Sequence, residues 1–569
     1  MTDIDFTRDE SPPPWASATA DRGAQMYPVL TDRQIAEVAA HGSEKSFASG
    51  ELLWDIGQRN TEFFLILEGT LEIVHRDPFG IETIMATHSR GSFTGETVML
   101  SGRAAMVAGR AKTALKVVAV PLPGLRELIV THARLGDIII RSFILRRMRM
   151  IAERASDLLV VGSRHSAGTQ QLREFLTRNG YPYSFLDLES ATDVTEVMHG
   201  CAWRVEDTPI VITSSGEPLR NPTLHAVADR LGLSMQWDQE AIRDVAIIGA
   251  GPAGLAAAVY AASEGLDVIV LDSIAPGGQA GTSSKIENYL GFPTGISGQA
   301  LAGRAFMQAQ KFGATIAIPA TLVRMHCNRP YHELELDNGD RIRSRAVVIA
   351  SGANYRKPAL EGLTKFEGAG VYYGATFLEA QTCRNEEVAI IGGGNSAGQA
   401  AVFLAETAKR VFVLVRSAGL AASMSRYLIR RIETTPNIEL LTCCEVVGLH
   451  GGEFLEGIRW RNRTTLEETS RPIRHLFVFI GASPNTGFVP RSIVTNAKGF
   501  VCTGTEIHQP GVDGEWPLER APFPLETSCP GVFAAGDVRA SSTKRVASAV
   551  GEGSVVVQYI HQFLAMRGG

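Results

Sequence analysis

Hydrophobic and polar positions divide the chain into three regimes. In residues 27–154 the apolar runs are short and bounded by Gly and Asp turns, at 52–54, 63–67, 71–74, 83–85 and 115–120. Short strands at this spacing predict a small barrel or jelly roll. A helical stretch at 31–41 precedes them. A long helix at 133–152 follows, with Arg141, Arg146, Arg147 and Arg149 expected on a solvated face. In residues 157–240 the pattern alternates: a strand at 158–161, a helix at 169–179, strands at 183–186 and 208–212, and a closing helix at 221–231. From 243 onward a long α/β pattern carries two Gly-rich turns, each after an apolar strand and before an Ala-rich helix. That repetition predicts duplicated nucleotide-binding units. The first 26 residues, with Pro12, Pro13 and Pro14, lack periodicity and are expected to be a flexible tail.

The first Gly-rich turn holds Gly249, Gly251, Pro252, Ala253 and Gly254. Glycines at this spacing permit a tight turn, close approach of the backbone to a pyrophosphate and close packing of helix on strand, with the helix N-terminus facing the phosphates. The next strand, at 268–271, ends in Asp272, where a ribose hydroxyl partner is expected. The second turn holds Gly392, Gly394, Asn395, Ser396 and Ala397. Asp272 stands 23 residues after Gly249; the same offset from Gly392 gives Val415, followed by Arg416. A cation in place of a carboxylate favours NADP over NAD. Two dinucleotide sites on one chain imply two cofactors that exchange electrons.

Composition narrows the partners. A net charge of −5 over 569 residues gives no reason to expect a nucleic acid or a membrane surface. The apolar stretch 245–262 approaches the length of a membrane span, but its glycines and Pro252 fit a strand, turn and helix better. No signal-peptide pattern opens the chain, and a reducing cytoplasmic setting fits the cysteines. Cys201, Cys327, Cys383, Cys443, Cys444, Cys502 and Cys529 form no Cys-x-x-Cys spacing, so no metal is expected.

The third regime resembles the low-molecular-weight thioredoxin reductases. The resemblance rests on Pro276-Gly-Gly-Gln279, Lys285-Ile-Glu-Asn288 and the following Tyr-Leu-Gly-Phe-Pro. It also rests on the run from Phe479 to Asn485 and on Pro530 to Asp537. It implies FAD at the first site, NADPH at the second and a homodimer. Gly278, Gln279 and Asn288 would lie near the flavin ring, and Gly536 and Asp537 near its chain. Lys544 and Arg545 occupy the family's Arg-Gln positions. Of the family's arginine clamp for the 2′-phosphate, only Arg416 remains; Arg426, Arg430 and Arg431 lie nearby as alternatives. The resemblance further implies flavin segments at 243–361 and 482–569 around an NADPH unit at 362–481.

The redox motif departs from that family. Where it carries Cys-Ala-Thr-Cys, this chain reads Gly374-Ala375-Thr376-Phe377. Thiol–disulfide exchange needs a thiolate pair, which leaves Cys383 as the nearest single thiol. Residues 157–240 are similar to a glutaredoxin or thioredoxin fold, with Pro209 as the expected cis-proline. The loop Gly162 to Gly168 holds Ser163, His165 and Ser166 where a Cys-x-x-Cys would stand. Residues 27–154 resemble a cyclic nucleotide-binding domain, with Gly95, Glu96 and Arg103 as candidate ligand contacts. The seven residues from Glu96 to Arg103 are a shortened interval. A barrel kept only as an interaction module is the alternative.

The expected architecture is therefore multidomain: an N-terminal β-barrel or jelly roll with helices, a central thioredoxin-like α/β unit and a C-terminal two-domain Rossmann-like α/β region. The expected function is hydride transfer from NADPH to FAD and on to an acceptor that is not a dithiol. The alternatives are a disulfide reductase working through Cys383 and a cyclic-nucleotide or redox sensor.

Overall fold

The structure is a computed structural model that describes residues 23–59, 61–95, 98–101, 103–152, 158–189, 204–214, 217–235, 237–328, 330–509 and 515–566. Glu96 and Cys201 fall outside these residues. Of the expected tail, residues 1–22 lie outside the described residues, and residues 23–26 are not tail-like. Gly23–Met26 forms a helical turn with Met26 buried, and the Met26 carbonyl accepts bonds from Ser142 and Arg146.

The N-terminal unit is a sandwich of two antiparallel sheets. One orders Ser43–Phe47, Leu115–Val120 and Phe63–Glu68; the other orders Leu52–Trp54, Ala108–Ala111, Leu71–Arg76 and Glu82–His88. Ser43–Phe47 is polar and largely exposed, so it offers no alternation to read. Ala108–Ala111 is small because the Trp54 ring lies over Gly109, where a Cβ would stand 2.3 Å from the indole. Trp54 stacks on Phe64 with centroids 5.6 Å apart. The helix Asp32–Ala39 starts at Thr31 in a reciprocal capping arrangement with Gln34.

The long helix Ala133–Ala152 corrects one expectation. Arg146 and Arg147 do not lie on a solvated face; they are 7% and 9% exposed. Arg146 donates to the carbonyls of Met26, Phe93 and Gly95, and Arg147 to Gly180. These carbonyl bonds satisfy charges that burial would otherwise penalise.

The central unit has strand order Leu219–Arg220, Ile210–Thr213, Leu158–Gly162, Ser184–Asp187. Only the last pair is parallel. The Thr208–Pro209 peptide is cis. Its last helix, Leu224–Arg230, begins later than the apolar pattern suggests, because Asn221 takes a positive φ and Thr223 supplies the cap.

The C-terminal region contains one mixed sheet, parallel except where His332–Leu336 pairs antiparallel with both its neighbours, and one parallel sheet. The first orders Thr315–Ala317, Val268–Leu271, Ile242–Ile248, Arg341–Ile349, His332–Leu336 and Leu322–His326, with Val532–Ala534 also beside Arg341–Ile349. The second orders Val371–Tyr372, His475–Val478, Glu387–Ile391, Arg410–Leu414 and Ile438–Leu441. The two-stranded pair Ala353–Tyr355 and Ala482–Pro484 carries the chain between them. The stretch that resembles a membrane span is the buried strand Ile242–Ile248 and helix Pro252–Ser263. Among the described residues no helix is long and apolar enough to cross a membrane.

Candidate functional site: two dinucleotide cradles

Gly249 ends the strand Ile242–Ile248 with φ +105°, and a Cβ there would lie 2.4 Å from the Ala350 carbonyl. Gly251 caps the helix Pro252–Ser263, and nothing but the Gly278 backbone stands near its missing side chain. Gly254 lies against the turn itself, since its Cβ would be 1.9 Å from the Gly249 oxygen. Gly278 and Gly536 both take positive φ, and Gly536 donates its N–H to Glu552 at 2.7 Å. The result is a bare backbone cradle at a helix N-terminus, which fits a dinucleotide pyrophosphate. Ala253 is buried beneath Gly553, whose own Cβ would approach the Ala253 carbonyl to 2.2 Å.

The acidic residues around this cradle have distinct roles. The Asp272 carboxylate accepts N–H bonds from Ala250 at 2.8 Å, Ile274 at 3.0 Å and Ala275 at 3.1 Å, bracing the turn. Burial pushes the Asp537 carboxyl above its ordinary range. The Lys544 ammonium lies 4.4 Å from the Phe500 ring centroid and donates to the Asp537 carbonyl. Arg545 caps the helix Val546–Ala565. The Gln279 amide donates to the Ala353 carbonyl, and Asn288 is exposed.

The second cradle repeats the first with one change. Gly392 has φ +146°, and a Cβ would meet the Phe479 carbonyl at 2.4 Å. Gly394 caps the helix Asn395–Ala405 and has open space beside it. The Asn395 oxygen accepts the Ser425 N–H at 2.7 Å, and Ser396 bonds to the hydroxyl of the half-buried Tyr355. Ala397, in the third position, is fully buried. Arg416 is exposed after the strand Arg410–Leu414. Arg431 is engaged elsewhere: it pairs with Glu287 at 2.5 Å, joining the second unit to the Lys285–Glu287 loop of the first.

A sequence model described as pyridine nucleotide-disulphide oxidoreductase matches residues 243–553, more than half of the chain. The chain belongs to the pyridine nucleotide-disulphide oxidoreductase family. A second model, described as cyclic nucleotide-binding domain, matches residues 44–132. The chain is similar to the thioredoxin reductase of Mycoplasmopsis pulmonis, 33% identical over 318 residues, covering 56% of this chain and 96% of that protein. It is 32% identical to the thioredoxin reductase of Ureaplasma parvum, over 57% of this chain and 97% of that protein. Among solved structures, Lactococcus lactis thioredoxin reductase aligns with a TM-score of 0.51 and 26% identity, over 57% of this chain and 99% of that one. The chain is a thioredoxin reductase-like enzyme, and the family implies FAD and NAD(P)H.

Gly374–Phe377 depart from that family's redox motif. A Cβ on Gly374 would stand 3.9 Å from the Thr282 hydroxyl of the first unit, so the segment lies against the loop that follows Gln279. Thr376 begins the helix Phe377–Thr382, and its N–H bonds to Glu379 at 2.7 Å. Cys383 is fully buried, and burial pushes its thiol up to about 12. Such a thiol holds almost no thiolate at neutral pH. Cys383→Ser is therefore expected to leave the NADPH-dependent rate within about twofold of the parent, with at most ~1 kcal/mol lost in urea unfolding. A tenfold loss of rate with flavin retained contradicts this.

The central loop that lacks cysteines docks on the second unit. The His165 ring lies 5.3 Å from Phe454, its Nε2 stands 3.4 Å from Glu189, and a Cβ on Gly368 would be 3.1 Å from Ala167. Burial lowers the His165 pKa. Two further cysteines escaped sequence reasoning. Cys327 is pulled down to about 5, chiefly by its bond to the Cys529 side chain and also by His332. No spacing reveals this cluster, because its members come from distant parts of the chain.

The N-terminal unit encloses a cavity lined by Trp54, His88, Gly95, Met99, Arg146 and Met150 among others. Of the residues expected to hold a cyclic nucleotide, Gly95 lines it. Arg103 does not; its guanidinium lies 5.4 Å from the Phe306 ring of the helix Gly298–Lys311 in the flavin-side unit. Glu96 lies outside the described residues. Burial, and secondly Arg146, depress His88 to about 3 from its ordinary 6.5. The unfolded chain therefore takes up a proton near pH 6.5 that the folded chain refuses until about pH 3. Stability from this group is complete above pH 6.5 and falls on acidification toward pH 3, by at most ~1.4 kcal/mol per pH unit. His88→Leu is expected to flatten that limb of a urea-unfolding pH profile by about one proton. An unchanged slope contradicts the assignment.

Proposed function

We propose that this protein is an FAD-dependent NADPH oxidoreductase of thioredoxin reductase architecture whose electron acceptor is not a dithiol. The observation that carries this reading is the absence of a cysteine pair at Gly374 and Phe377, together with the buried, unreactive Cys383. Hydride transfer is the chemistry the two cofactors would supply when bound. The chain's part is to seat the pyrophosphates on the Gly249–Gly254 and Gly392–Ala397 turns. In this reading Gly278, Gln279, Asn288, Gly536, Asp537, Lys544 and Arg545 complete the flavin site. Arg416 supplies the charge that favours a 2′-phosphate.

The central unit is read as a glutaredoxin-like or thioredoxin-like relay that has lost its dithiol. Its strand order and the cis peptide before Pro209 support that reading. Its Ala167 end lies against Gly368 of the second unit.

The deciding experiment is an anaerobic NADPH titration of the holoenzyme. Uptake of about two electrons per chain is expected, since flavin is then the only acceptor on the protein. Uptake of about four restores a disulfide and sinks the proposal.

A second reading, regulation by a cyclic nucleotide, draws on the placement of Arg103 over Phe306 and on the Ala104 N–H directed at the Gly232 carbonyl at 3.4 Å. The segment beside the shortened cassette thereby touches both downstream units. A shift in NADPH oxidation on adding cAMP or cGMP supports it, and identical rates remove it.

A further inference from the structure

We propose that Cys327, His332 and Cys529 form a structural binding site for a thiophilic d10 cation, with zinc as the ion to test. One ligand atom from each lies within 4.8 Å of the other two. His332 is 1% exposed, and neither of its ring nitrogens has a hydrogen-bonding partner of normal geometry. A buried imidazole without a partner is costly. What faces it is a pair of thiols, one 9% exposed and one half-buried.

The donor set discriminates between occupants. A disulfide would use the two sulfurs and leave the buried imidazole unsatisfied. A borderline-soft cation uses all three groups. Two thiolates and one imidazole form a zinc ligand set, with a fourth position open to solvent or a hydroxyl. The Ser492 side chain already bonds to Cys327. Zinc–sulfur bonds of about 2.3 Å place tetrahedral sulfurs roughly 3.8 Å apart. The cluster therefore needs to contract by about 1 Å at most to close on an ion.

The fold gives the site a purpose distinct from electron transfer. Cys327 follows the strand Leu322–His326, and His332 opens its antiparallel partner His332–Leu336. Cys529 precedes the strand Val532–Ala534. The strands that carry the flavin-side cradle end at Gly249 and Gly536, whereas Cys529 and His332 lie where Val532–Ala534 and Arg341–Ile349 begin. The cluster thus occupies the sheet end remote from the cradle. Cys327 and His332 come before the inserted second unit and Cys529 after it, so one ion would tie the two separated segments of this sheet together.

The test uses full-length holoenzyme without a polyhistidine tag, stripped of metal under reducing conditions. Zn2+ is titrated against a chromophoric chelator, and Co2+ is added anaerobically for spectroscopy. One equivalent per chain is expected, with a thiolate-to-cobalt charge-transfer band and the intense d–d bands of a tetrahedral site. Cys327→Ser and Cys529→Ser are each expected to weaken binding by more than roughly 100-fold and to diminish the charge-transfer band. Cys443→Ser is expected to leave both unchanged. Because Cys327 is half-buried and the change is nearly isosteric, retained flavin confirms that the variant folds. Zn2+ should also raise the thermal midpoint of the parent but not of Cys327→Ser. Binding below half an equivalent, unchanged affinity in Cys327→Ser, or a Cys327–Cys529 disulfide in anaerobically isolated protein each overturns the proposal.

Discussion

Gly254→Ala is expected to yield a chain that retains almost no flavin. The added Cβ would lie 1.9 Å from the Gly249 oxygen, 3.1 Å from the Gly249 carbonyl carbon and 3.2 Å from Ile247 Cγ2. Two of these three neighbours belong to the backbone of the turn itself. The turn cannot shift, because Gly249 is pinned against Ala350, with a missing Cβ that would stand 2.4 Å from that carbonyl. Relief then requires the helix Pro252–Ser263 to lift off its strand, at a cost of about 3 kcal/mol or more. Its far side offers no slack, since Gly553 of the helix Val546–Ala565 packs within 2.2 Å, by the same construction, of the Ala253 carbonyl. The measurement is the flavin-to-protein ratio after purification. Gly303→Ala, on an exposed part of the helix Gly298–Lys311 with nothing within 4 Å, serves as a control expected to bind flavin normally. A full flavin complement in Gly254→Ala would falsify the packing argument. The second cradle supplies an internal contrast: its third position is already Ala397, fully buried, so that turn accepts a methyl group which the first excludes.

The second large effect is a gain. The double variant Gly374→Cys with Phe377→Cys is expected to raise anaerobic electron uptake from about two to about four per chain. Gly374 accepts a side chain readily: its φ is not positive, and the nearest atoms to an added Cβ are Thr282 Oγ1 at 3.9 Å and Thr282 Cβ at 4.0 Å. Those same atoms place the segment beside the Gly278–Gly281 turn, within the flavin-side unit's reach. The two positions are three residues apart at the start of the helix Phe377–Thr382, where backbone N–H groups favour a thiolate. Reductive titration with thiol counting before and after reads the outcome. If the variant forms its disulfide yet still takes up two electrons, the segment is not in electron contact with the flavin site. The single variant Gly374→Cys should not gain capacity, because a lone thiol closes no ring.

The cradle glycines and the Gly374–Phe377 segment are both legible in the chain, but to different depths. The cradles were legible because glycines at fixed offsets between an apolar strand and a small-residue helix leave few other structures. Gly249, Gly251 and Gly254 stand in the structure as that pattern requires. Asp272 was legible as a carboxylate at the end of the second strand. That it braces three backbone N–H groups was not, since Ile274 and Ala275 become its neighbours only through the local turn. Arg103 shows a stronger limit. The resemblance offered it as a phosphate contact in spite of a shortened interval, yet its guanidinium lies over the Phe306 ring. Arg146 and Arg147 look like solvated charges on a helix until Met26, Phe93, Gly95 and Gly180 close around them with carbonyl oxygens.

By itself the sequence determined the local and periodic features: two Gly-turn cradles, a β-rich unit before an alternating one, and no cysteine pair at 374–377 or in the loop 162–168. These depend on residue type and short-range spacing, which the covalent chain fixes directly. Only the tertiary structure decided what distant segments do to one another. Burial pushed up the Cys383 thiol, the Arg431–Glu287 pair joined the two dinucleotide units, and strand pairing across the inserted unit brought Cys327 and His332 to Cys529. Burial, ion pairing and ligand convergence are properties of through-space neighbours, and a one-dimensional pattern carries no distance between residues that the fold alone brings together.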